Sequence, residues 1–430
     1  MNTRLYNARI LSMLEEKSPV IANGEVWVEG SRITMAGDPG NAEKPLFDRE
    51  IDCGGGLLMP GFKDAHTHSA MTFLRSHADD LPLHEWLNIQ VFPYEAKLTS
   101  EDIYELTRLA VLEYVSGGIT AAMEMYLTPE SIASACQDTG MRLVQVGGVN
   151  NFSQSAEDVE RWYNELNGVS ELTSFRLGFH AQYTCSPELL EKIAGLSRKY
   201  QAPVYTHIAE TKSETEECRK NTGMSPVAYL ASMGIFDYGG AGYHLIWTDE
   251  SDRRIMKEKG IAVVTNPGSN TKLASGIAPV ADYLRDGITV AIGTDGPASN
   301  NCLDMFREMF LTTGLAKLKE NDAAAVPAYE VLRMACVNGA RVMGLDGCDA
   351  VAAGKYADLI LIDLDEPNMQ PLHNIANNLV YSGSKSNVKM TMIAGEIRYD
   401  RFDGRPRYYI GADPAEIYAK SREICDRIFG

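Results

Sequence analysis

The chain has 430 residues, 45% of them hydrophobic and 23% charged, which is the composition of a globular protein rather than a disordered one. Its formal net charge of −18 disfavours partners with phosphate backbones and anionic membranes. No apolar run approaches the ~20 residues of a membrane span, and the first residues lack the apolar stretch of a signal peptide. We therefore expect a cytoplasmic protein. The eight cysteines include no Cys-x-x-Cys pair, which disfavours a cysteine-based metal site.

The N-terminal part of the chain is predicted to form short strands. Gly, Pro and Asn clusters bound strand-like segments at residues 5–10, 24–28 and 32–36, and no long amphipathic helix is visible there. This pattern is typical of a small β-unit.

From residue 57 to about residue 346, short apolar runs alternate with helical patterns, which indicates βα units and a parallel sheet. The eight runs are 57–68, 119–126, 142–149, 176–184, 204–210, 241–247, 261–266 and 288–295. Eight such units most economically close into a (β/α)8 TIM barrel. A doubly wound open sheet is the alternative, but no Gly-x-Gly-x-x-Gly follows the first run.

The first loop of this predicted barrel is unusually long, running over residues 69–97 before a helix near Thr99. Long loops inside compact domains are usually functional, and in a barrel they lie over the site. We therefore expect this loop to take part in binding.

Strand-like segments return near the C-terminus, at residues 357–364, 388–393 and 396–398, before a terminal helix over 413–428. We predict that residues 1–56 and 350–430 form a small β-sandwich domain with a terminal helix. Residues 57–349 then form the barrel domain.

Most of the eight histidines are placed at or near predicted strand ends. These five are His66, His68, His180, His207 and His244. Catalytic groups of barrels come from the carboxyl ends of several strands, so the five match an active-site rim. Each of them alone could equally be a hydrogen-bonded core histidine.

An aspartate completes a possible metal site. Side chains alternate along a strand, so His66 and His68 point to the same face. Asp295 ends the eighth run, where an acid is costly to bury unless it binds a metal or a hydrogen-bonding cluster; a helix N-cap is the other interpretation. Three His and one Asp suit Zn²⁺, and Fe²⁺ accepts the same donors. The fourth run offers His180 rather than a Lys that could bridge two metals, which favours a single ion.

Glu210 lies three residues after His207, so on one strand their side chains would face opposite ways. We predict that Glu210 lies just past the strand end, where the chain can turn it over the site to shuttle a proton. The alternative is a solvent-facing Glu at the start of an acidic segment that also holds Glu214, Glu216 and Glu217.

Seven segments, in this order, carry a more specific signal. They are PGFKDAHTHSAMTFLR (60–75), DDLPLHEWL (79–87), VFPYEA (91–96), FHAQYTCS (179–186), THIAET (206–211), NPGSNTKLASGIAPV (266–280) and GTDGPASNN (293–301). Together they resemble the amidohydrolase superfamily and, more narrowly, its S-adenosylhomocysteine/5′-methylthioadenosine deaminase group.

The resemblance implies a metal-dependent deaminase acting at C6 of an adenosine derivative, with release of ammonia. It implies that one divalent ion is bound by His66, His68, His207 and Asp295. It also implies that His244 and Asp295 handle the proton of the attacking water.

For the substrate, the resemblance implies that Glu210 protonates the ring nitrogen beside the carbon attacked. Glu95 would hold the ribose hydroxyls, His180 would contact the purine, and Trp86 would wall the pocket.

The chain also departs from the group's pattern. Members that hold a homocysteine carboxylate carry Arg in the third-strand region, whereas residues 146–153 contain none and Arg161 is the next. We therefore favour 5′-methylthioadenosine, 5′-deoxyadenosine or adenosine over S-adenosylhomocysteine. Glu124 stands where the family usually has Asp, and the segment 245–247 is atypical, so both are expected to reshape the pocket.

Two other functions are compatible with the pattern. One is an aminohydrolase or chlorohydrolase acting on guanine, a pterin or an s-triazine. The other is a catalytically inactive scaffold, which is disfavoured because every proposed ligand is present. The expected partner is a small nucleoside-like molecule, and self-association into a homo-oligomer stays open.

Overall fold

The computed structural model describes residues 1–77 and 79–430, which form two β-sheets surrounded by helices. The strands are β1 (Asn2–Leu11), β2 (Val20–Glu29), β3 (Arg32–Gly37), β4 (Arg49–Asp52), β5 (Leu57–Pro60), β6 (Phe62–Thr67), β7 (Ile119–Glu124), β8 (Arg142–Val146), β9 (Thr173–Ala181), β10 (Val204–Ile208), β11 (Gly240–His244), β12 (Ile261–Thr265), β13 (Val290–Ile292), β14 (Leu359–Ile362), β15 (Val388–Ile393), β16 (Glu396–Asp400) and β17 (Arg407–Tyr408).

The helices mostly follow the barrel strands. The α-helices are α1 (Leu83–Glu85), α2 (Phe92–Glu95), α3 (Ser100–Ser116), α4 (Pro129–Thr139), α5 (Ala156–Leu166), α6 (Pro187–Tyr200), α7 (Lys212–Thr222), α8 (Pro226–Ser232), α9 (Glu250–Lys259), α10 (Pro267–Lys272), α11 (Val280–Arg285), α12 (Met305–Glu320), α13 (Ala328–Arg333), α14 (Gly339–Met343), α15 (Ile375–Asn377) and α16 (Pro414–Phe429). Short 3₁₀ helices lie at Ser69–Leu74, Gln182–Thr184, Pro367–Met369 and Lys385–Asn387, and π-helical turns at Trp86–Val91, Met334–Asn338 and Asn378–Ser382.

Strands β6 to β13 form a parallel sheet in sequence order, and the sheet closes into a barrel where β13 meets β6. The closing contacts lie outside the regular strand ladder. The backbone N–H of Asp295 donates to the carbonyl of His66 (2.9 Å), and the backbone N–H of Thr294 donates to the carboxylate of Asp64 (2.8 Å). The predicted (β/α)8 barrel is confirmed, and the carboxyl ends of its strands form one rim.

The remaining nine strands form one mixed sheet in the order β17-β16-β15-β14-β5-β1-β2-β3, with β4 pairing β1. Side chains from both ends of the chain, such as Leu5, Val26, Leu361 and Met390, pack into a hydrophobic core of its own. The chain ends therefore meet in one β-unit beside the barrel. The strands of this unit are hydrogen-bonded into a single continuous sheet. The predicted domain boundaries, at residues 56/57 and 349/350, stay a prediction.

The run 57–68 was predicted as one strand, and this prediction is wrong. Leu57–Pro60 pairs with β1 and β14 in the mixed sheet, whereas Phe62–Thr67 pairs with β7 in the barrel. Gly61 joins the two strands, and a Cβ there would lie 2.1 Å from a side-chain carbon of Thr120. The chain passes between the two sheets at a residue that must be small.

The long loop over residues 69–97 is not structureless. It contains the 3₁₀ helix Ser69–Leu74, α1, the π-helical turn Trp86–Val91 and α2. As predicted, a helix then begins near Thr99, whose side chain and that of Asp102 form a capping box for α3. The loop is a folded cover over the rim.

Several predicted runs continue past the true strand ends. β10 ends at Ile208 and β13 at Ile292, so residues 209–210 and 293–295 belong to the loops that follow. The functional candidates sit at these exits, where the backbone is free of the ladder. In the part of the chain that the structure describes, no helix is long and apolar enough to cross a membrane.

Candidate metal centre and active site

Four of the predicted residues meet at the rim of the barrel. The donor atoms of His66, His68, His207 and Asp295 all lie within 4.8 Å of one another, and all four side chains are buried. Nε2 of His66 lies 3.1 Å from Nε2 of His207, and Nε2 of His68 lies 3.2 Å from Oδ1 of Asp295. Residues from β6, β10 and the exit of β13 thus converge on one point.

The backbone determines which ring nitrogens face that point. Nδ1 of His207 is 2.6 Å from the carbonyl of His180, and Nδ1 of His68 contacts the carbonyl of Met125. A carbonyl accepts only, so each Nδ1 carries a proton and each Nε2 is the nitrogen that faces the shared point. The ring of His66 instead stacks on Tyr243, with centroids 3.7 Å apart.

This arrangement fits a divalent metal ion. Two imidazole Nε2 atoms 3.1 Å apart, those of His66 and His207, need a cation or a proton between them, because their lone pairs would otherwise repel. Three imidazole nitrogens and one carboxylate oxygen are donors that Zn²⁺ and related ions accept. The geometry and the donor chemistry therefore agree on a metal centre.

Burial and neighbouring charges shift the pKa values within this group. Burial lowers the pKa of His66 to about 3 and that of His207 well below its ordinary value. Burial also acts to lower the pKa of His68, but the Asp295 carboxylate raises it to about 9. Burial would raise the pKa of Asp295, yet His66 and His68 hold it well below its ordinary value. The group therefore presents a carboxylate anion beside two neutral imidazoles.

Unusual backbone conformations mark the strand exits around the metal centre. Ala209, His244, Leu245 and Asp295 all have positive φ, between 46° and 70°. Each such non-glycine residue costs of order 1–3 kcal/mol and persists only where the surroundings enforce it. Because Ala209 reverses the chain direction, Glu210 turns back over the site, in the position that the sequence predicted.

Glu210 is buried and faces His244 and Asp295. Nε2 of His244 lies 3.9 Å from Oε2 of Glu210 and 3.9 Å from Oδ2 of Asp295. The hydroxyl of Ser275 donates to Oε1 of Glu210 at 3.3 Å. Burial raises the pKa of Glu210 above its ordinary value, which suits a group that donates a proton. The solvent-facing alternative is therefore wrong for Glu210.

Sequence reasoning missed the role of Glu214, which was grouped with the solvent-facing acids. Glu214 is buried, and its carboxylate accepts from the backbone N–H groups of Ala209 (2.9 Å) and Glu210 (2.8 Å). It also forms a capping box with Thr211 at the start of α7. The Thr-x-x-Glu spacing was a usable signal for this cap. Glu214 holds the reversed turn that presents Glu210.

A cavity of about 510 Å³ opens above the metal centre. The three metal-site residues other than His66 contribute to its base, together with His244 and Glu210. Its outer walls are largely apolar, built from the long first loop and from the loops after β7, β8 and β9. A drug-sized or nucleoside-sized molecule fits a cavity of this volume.

The other three predicted substrate contacts, Trp86, His180 and Glu95, line this cavity together with Glu210. Trp86 is buried in the wall, and Nδ1 of His180 lies 3.0 Å from the hydroxyl of Thr184. Burial, followed by the nearby His68, lowers the pKa of His180 to about 4, so its ring is neutral. Oε1 of Glu95 is buried without a hydrogen bond of ordinary geometry among the described residues. Burial raises the pKa of Glu95, against the lowering effect of the neighbouring Tyr126 hydroxyl. A carboxylate accepts several hydrogen bonds, so this group can take a further donor from a ligand.

A second residue that sequence reasoning missed is Asn270 in α10. Its Oδ1 lies 2.7 Å from Nδ1 of His244. The segment 266–280 was recognised as a motif, but no individual residue in it was assigned a role. Asn270 becomes significant only when the fold brings the exits of β11 and β12 together.

A parallel eight-stranded barrel with three histidines and an aspartate at its carboxyl rim defines a metal-dependent hydrolase. The model of the amidohydrolase family matches residues 57–398, so the chain belongs to that family. Among its relatives is the 5-methylthioadenosine/S-adenosylhomocysteine deaminase of Syntrophomonas wolfei, 40% identical over 440 residues that cover 100% of each chain. The deaminase of the same name from Thermoanaerobacter pseudethanolicus is 38% identical over 408 residues, 92% of this chain and 93% of that one.

Solved structures give the same fold. An adenosine deaminase from Xanthomonas campestris with bound zinc has a TM-score of 0.93 and 31% identity, covering 99% of this chain and 98% of that one. The atrazine chlorohydrolase of Arthrobacter aurescens complexed with zinc has a TM-score of 0.90 at 20% identity, covering 98% and 100%. At that identity the second likeness shows the barrel alone.

Proposed function

We propose that this protein is a metal-dependent hydrolytic deaminase of adenosine derivatives. It replaces the 6-amino group of the purine by oxygen from water, which gives the inosine form and ammonia. The observation that carries the proposal is the convergence of four metal-donor atoms, the Glu210–His244 pair and the Glu95 carboxyl group on one cavity. Related chains named as deaminases support it.

We propose that one divalent ion, Zn²⁺ in preference to Fe²⁺, is held by His66, His68, His207 and Asp295. When bound, such an ion acts as a Lewis acid and makes water a nucleophile at neutral pH. The fixed Nδ1–H tautomers of His68 and His207 leave Nε2 of both rings free to bind it. The zinc in the Xanthomonas campestris structure supports this choice of metal.

The proton transfers fall to groups that face one another at the centre of the site. His244 and Asp295, 3.9 Å apart, accept the proton of the attacking water. Glu210, whose buried carboxyl group has a raised pKa, donates a proton to the ring nitrogen beside the carbon that is attacked. Proton delivery to that nitrogen lets the ring accept electrons during attack, and ammonia then leaves as the amino group is protonated.

Substrate recognition is assigned to the outer cavity. Glu95 accepts hydrogen bonds from the ribose hydroxyls, because its buried Oε1 needs donors and a sugar offers two. The neutral ring of His180 contacts the purine, and Trp86 forms a flat wall against it.

The 5′-substituent should be uncharged. Among the described residues that line the cavity there is no Lys or Arg, whereas Glu95, Glu210 and Asp295 are acidic. A homocysteine carboxylate would enter without a counter-ion, at a cost in desolvation. We therefore place 5′-methylthioadenosine, 5′-deoxyadenosine and adenosine ahead of S-adenosylhomocysteine. A cytoplasmic location and self-association also stay proposals.

An ammonia-release screen tests the function. Zinc-loaded enzyme should release ammonia from adenosine derivatives and convert their absorbance to that of inosine derivatives. If the enzyme turned over guanine, a pterin or an s-triazine but no adenosine derivative, its substrate would be another heterocycle and the adenosine assignment would be wrong. Less than about half an equivalent of bound zinc would support an inactive scaffold instead.

Glu95→Ala tests the nucleoside part of the proposal. Loss of hydrogen bonds to a charged acceptor should lower kcat/KM for adenosine about 10–100-fold. Glu216→Ala, which removes an exposed carboxylate on α7, is the matched control and should leave kcat/KM unchanged. An unchanged kcat/KM in Glu95→Ala would show that no ribose is recognised there.

A further inference from the structure

The ring of His244 is held by a contact on the side away from the metal centre. Its Nδ1 lies 2.7 Å from the amide oxygen of Asn270, and both side chains are almost completely buried. An amide oxygen accepts hydrogen bonds only. In the neutral ring the proton therefore sits on Nδ1, and Nε2 carries the lone pair.

That lone pair faces the reacting region. Nε2 of His244 lies 3.9 Å from a carboxylate oxygen of Glu210 and 3.9 Å from one of Asp295. A nitrogen equally placed between two carboxyl groups can take a proton arriving from one side and return it on the other. This is possible only while Nε2 carries no hydrogen in the resting enzyme.

The backbone beneath the ring is also constrained. His244 and Leu245 both have positive φ, 70° and 46°. The hydroxyl of Tyr283 donates to the carbonyl of Leu245 at 2.5 Å, and the backbone N–H of Leu245 donates to Ile208 at 3.1 Å. These contacts fix where the ring begins but leave its rotation free. The ring itself stacks on that of His207, with centroids 5.6 Å apart, and Asn270 supplies the hydrogen bond at Nδ1 that distinguishes the two ring nitrogens.

We propose that Asn270 is a positioning residue for the deamination. Its amide oxygen selects the Nδ1–H tautomer of His244 and aims Nε2 at Glu210 and Asp295. The inference rests on the proposed function, since it concerns the proton path of that reaction. Asn270 does not line the cavity, so it acts through His244 rather than on the substrate.

Two substitutions of similar size separate this role from a structural one. Asn270→Leu removes the acceptor and should lower kcat about 10–100-fold, with KM and zinc content near wild type. Asn270→Asp keeps an acceptor oxygen and should recover most of kcat. Thr271→Val in the same helix removes a hydroxyl that bonds only within α10, and should keep kcat within about twofold of wild type. Equal losses in the Leu and Asp variants would overturn the proposal.

A double-mutant cycle with His244→Ala tests whether Asn270 acts through that ring. In the His244→Ala background, Asn270→Leu should cost less than about threefold further in kcat, because the ring it positions is gone. The same fold loss in both backgrounds would mean that Asn270 supports the fold rather than His244. Thermal unfolding of each variant shows whether the fold has been weakened.

The tautomer can be read without activity. In zinc-loaded protein labelled with ¹⁵N-histidine, the His244 signal, assigned by its loss in His244→Ala, should show the proton on Nδ1. In Asn270→Leu the signal should move towards the other tautomer or a mixture. A proton on Nε2 in the wild type would overturn the inference even if the enzyme deaminates adenosine. Absence of deamination with the proton on Nδ1 would instead overturn the proposed function.

Discussion

Two buried charged groups lie at opposite ends of the barrel. At the amino end, Arg142 at the start of β8 pairs with Asp358 just before β14, through contacts of 2.6 Å and 2.9 Å. Asp358 also accepts from the backbone N–H of Ala394, and Arg142 also donates to the carbonyl of Glu171, both at 2.8 Å. We call this pair the floor pair. Its charges are satisfied within the protein.

The metal centre at the carboxyl rim is buried to a similar degree but is incomplete. The Nε2 atoms of His66 and His207 lie 3.1 Å apart, and Nδ1 of His66 is buried without a hydrogen-bond partner among the described residues. The comparison shows that burial alone does not mark a functional site. The floor pair completes its own hydrogen bonds and stabilises the fold, whereas the rim leaves positions that a metal and a substrate must fill.

The largest effect should follow from removing a metal ligand. Asp295→Ala should lower kcat/KM roughly 10⁴-fold or more, because in the proposed mechanism it removes both a metal ligand and a proton acceptor. Bound zinc, measured by elemental analysis, should fall well below one equivalent.

Stability offers a second measure of the same variant. Wild-type protein should gain about 4 kcal/mol in the free energy of unfolding at a zinc concentration 1,000 times Kd, and Asp295→Ala should gain much less. If the variant kept full zinc-dependent stabilisation, Asp295 would not be a ligand, and the rim would need another donor.

The next effect concerns proton transfer without loss of the metal. Glu210→Gln keeps the size of the side chain but removes its acid, so kcat should fall about 10³-fold while zinc content stays at one equivalent. Glu217→Gln, which changes an exposed acid on α7, is the control and should match wild type. If kcat of Glu210→Gln stayed within tenfold of wild type, another group would have to donate the proton.

Breaking the floor pair should affect stability and spare chemistry. Asp358→Ala leaves the Arg142 guanidinium buried without its counter-ion, and should lower the free energy of unfolding by about 3–5 kcal/mol. Denaturant unfolding at fixed zinc concentration measures this loss. In the folded variant kcat should stay within about threefold of wild type, and zinc should stabilise it as it stabilises the wild type. A large drop in kcat at normal zinc content would mean that the two ends of the barrel are coupled.

The pH dependence of stability gives an independent check on the floor pair. Burial would raise the pKa of Asp358, but the Arg142 guanidinium holds it below its ordinary value. A carboxyl group with a lowered pKa in the folded state stabilises the protein above its unfolded pKa of about 4, and this stabilisation is lost as the pH falls. Asp358→Ala should therefore lose less stability than the wild type on acidification below about pH 4.

A structural feature was predictable from the sequence when the residues that indicate it lie close together in the chain. The barrel and the metal-centre residues were predictable because each ligand sits at the end of a recognisable apolar run. The floor pair was not, because Arg142 and Asp358 are 216 residues apart and belong to different sheets. The strand break at Gly61 was hidden because β5 and β6 are separated by one residue, and only their pairing with strands of different sheets distinguishes them.

The same reasoning explains the misses within the site. Glu214 looks like its exposed neighbours in composition and differs only through the turn at Ala209 that it holds. The contact between Asn270 and His244 joins exits of two different strands, which no spacing in the sequence indicates.

The smallest effect concerns the outer wall of the rim. This wall is formed by loops rather than by the strand exits. Phe429 at the end of α16 packs against His77 and Tyr94, with ring centroids 4.1 Å and 5.0 Å away. Tyr94 precedes Glu95 in the loop that covers the cavity. Phe429→Ala should therefore loosen the carboxylate of Glu95, which we propose binds the ribose, and raise KM roughly fivefold, for a loss of about 1 kcal/mol, with kcat unchanged.

Lys420→Ala on the exposed face of the same helix is the control, since this side chain is exposed and pairs with the neighbouring Glu423. It should leave both kinetic constants unchanged. A fall in kcat with unchanged KM in Phe429→Ala would mean that α16 acts on the metal centre itself. A rise in KM alone would show that the rim has two independently supported parts: a metal centre fixed by strand exits and a substrate wall fixed by the C-terminal helix.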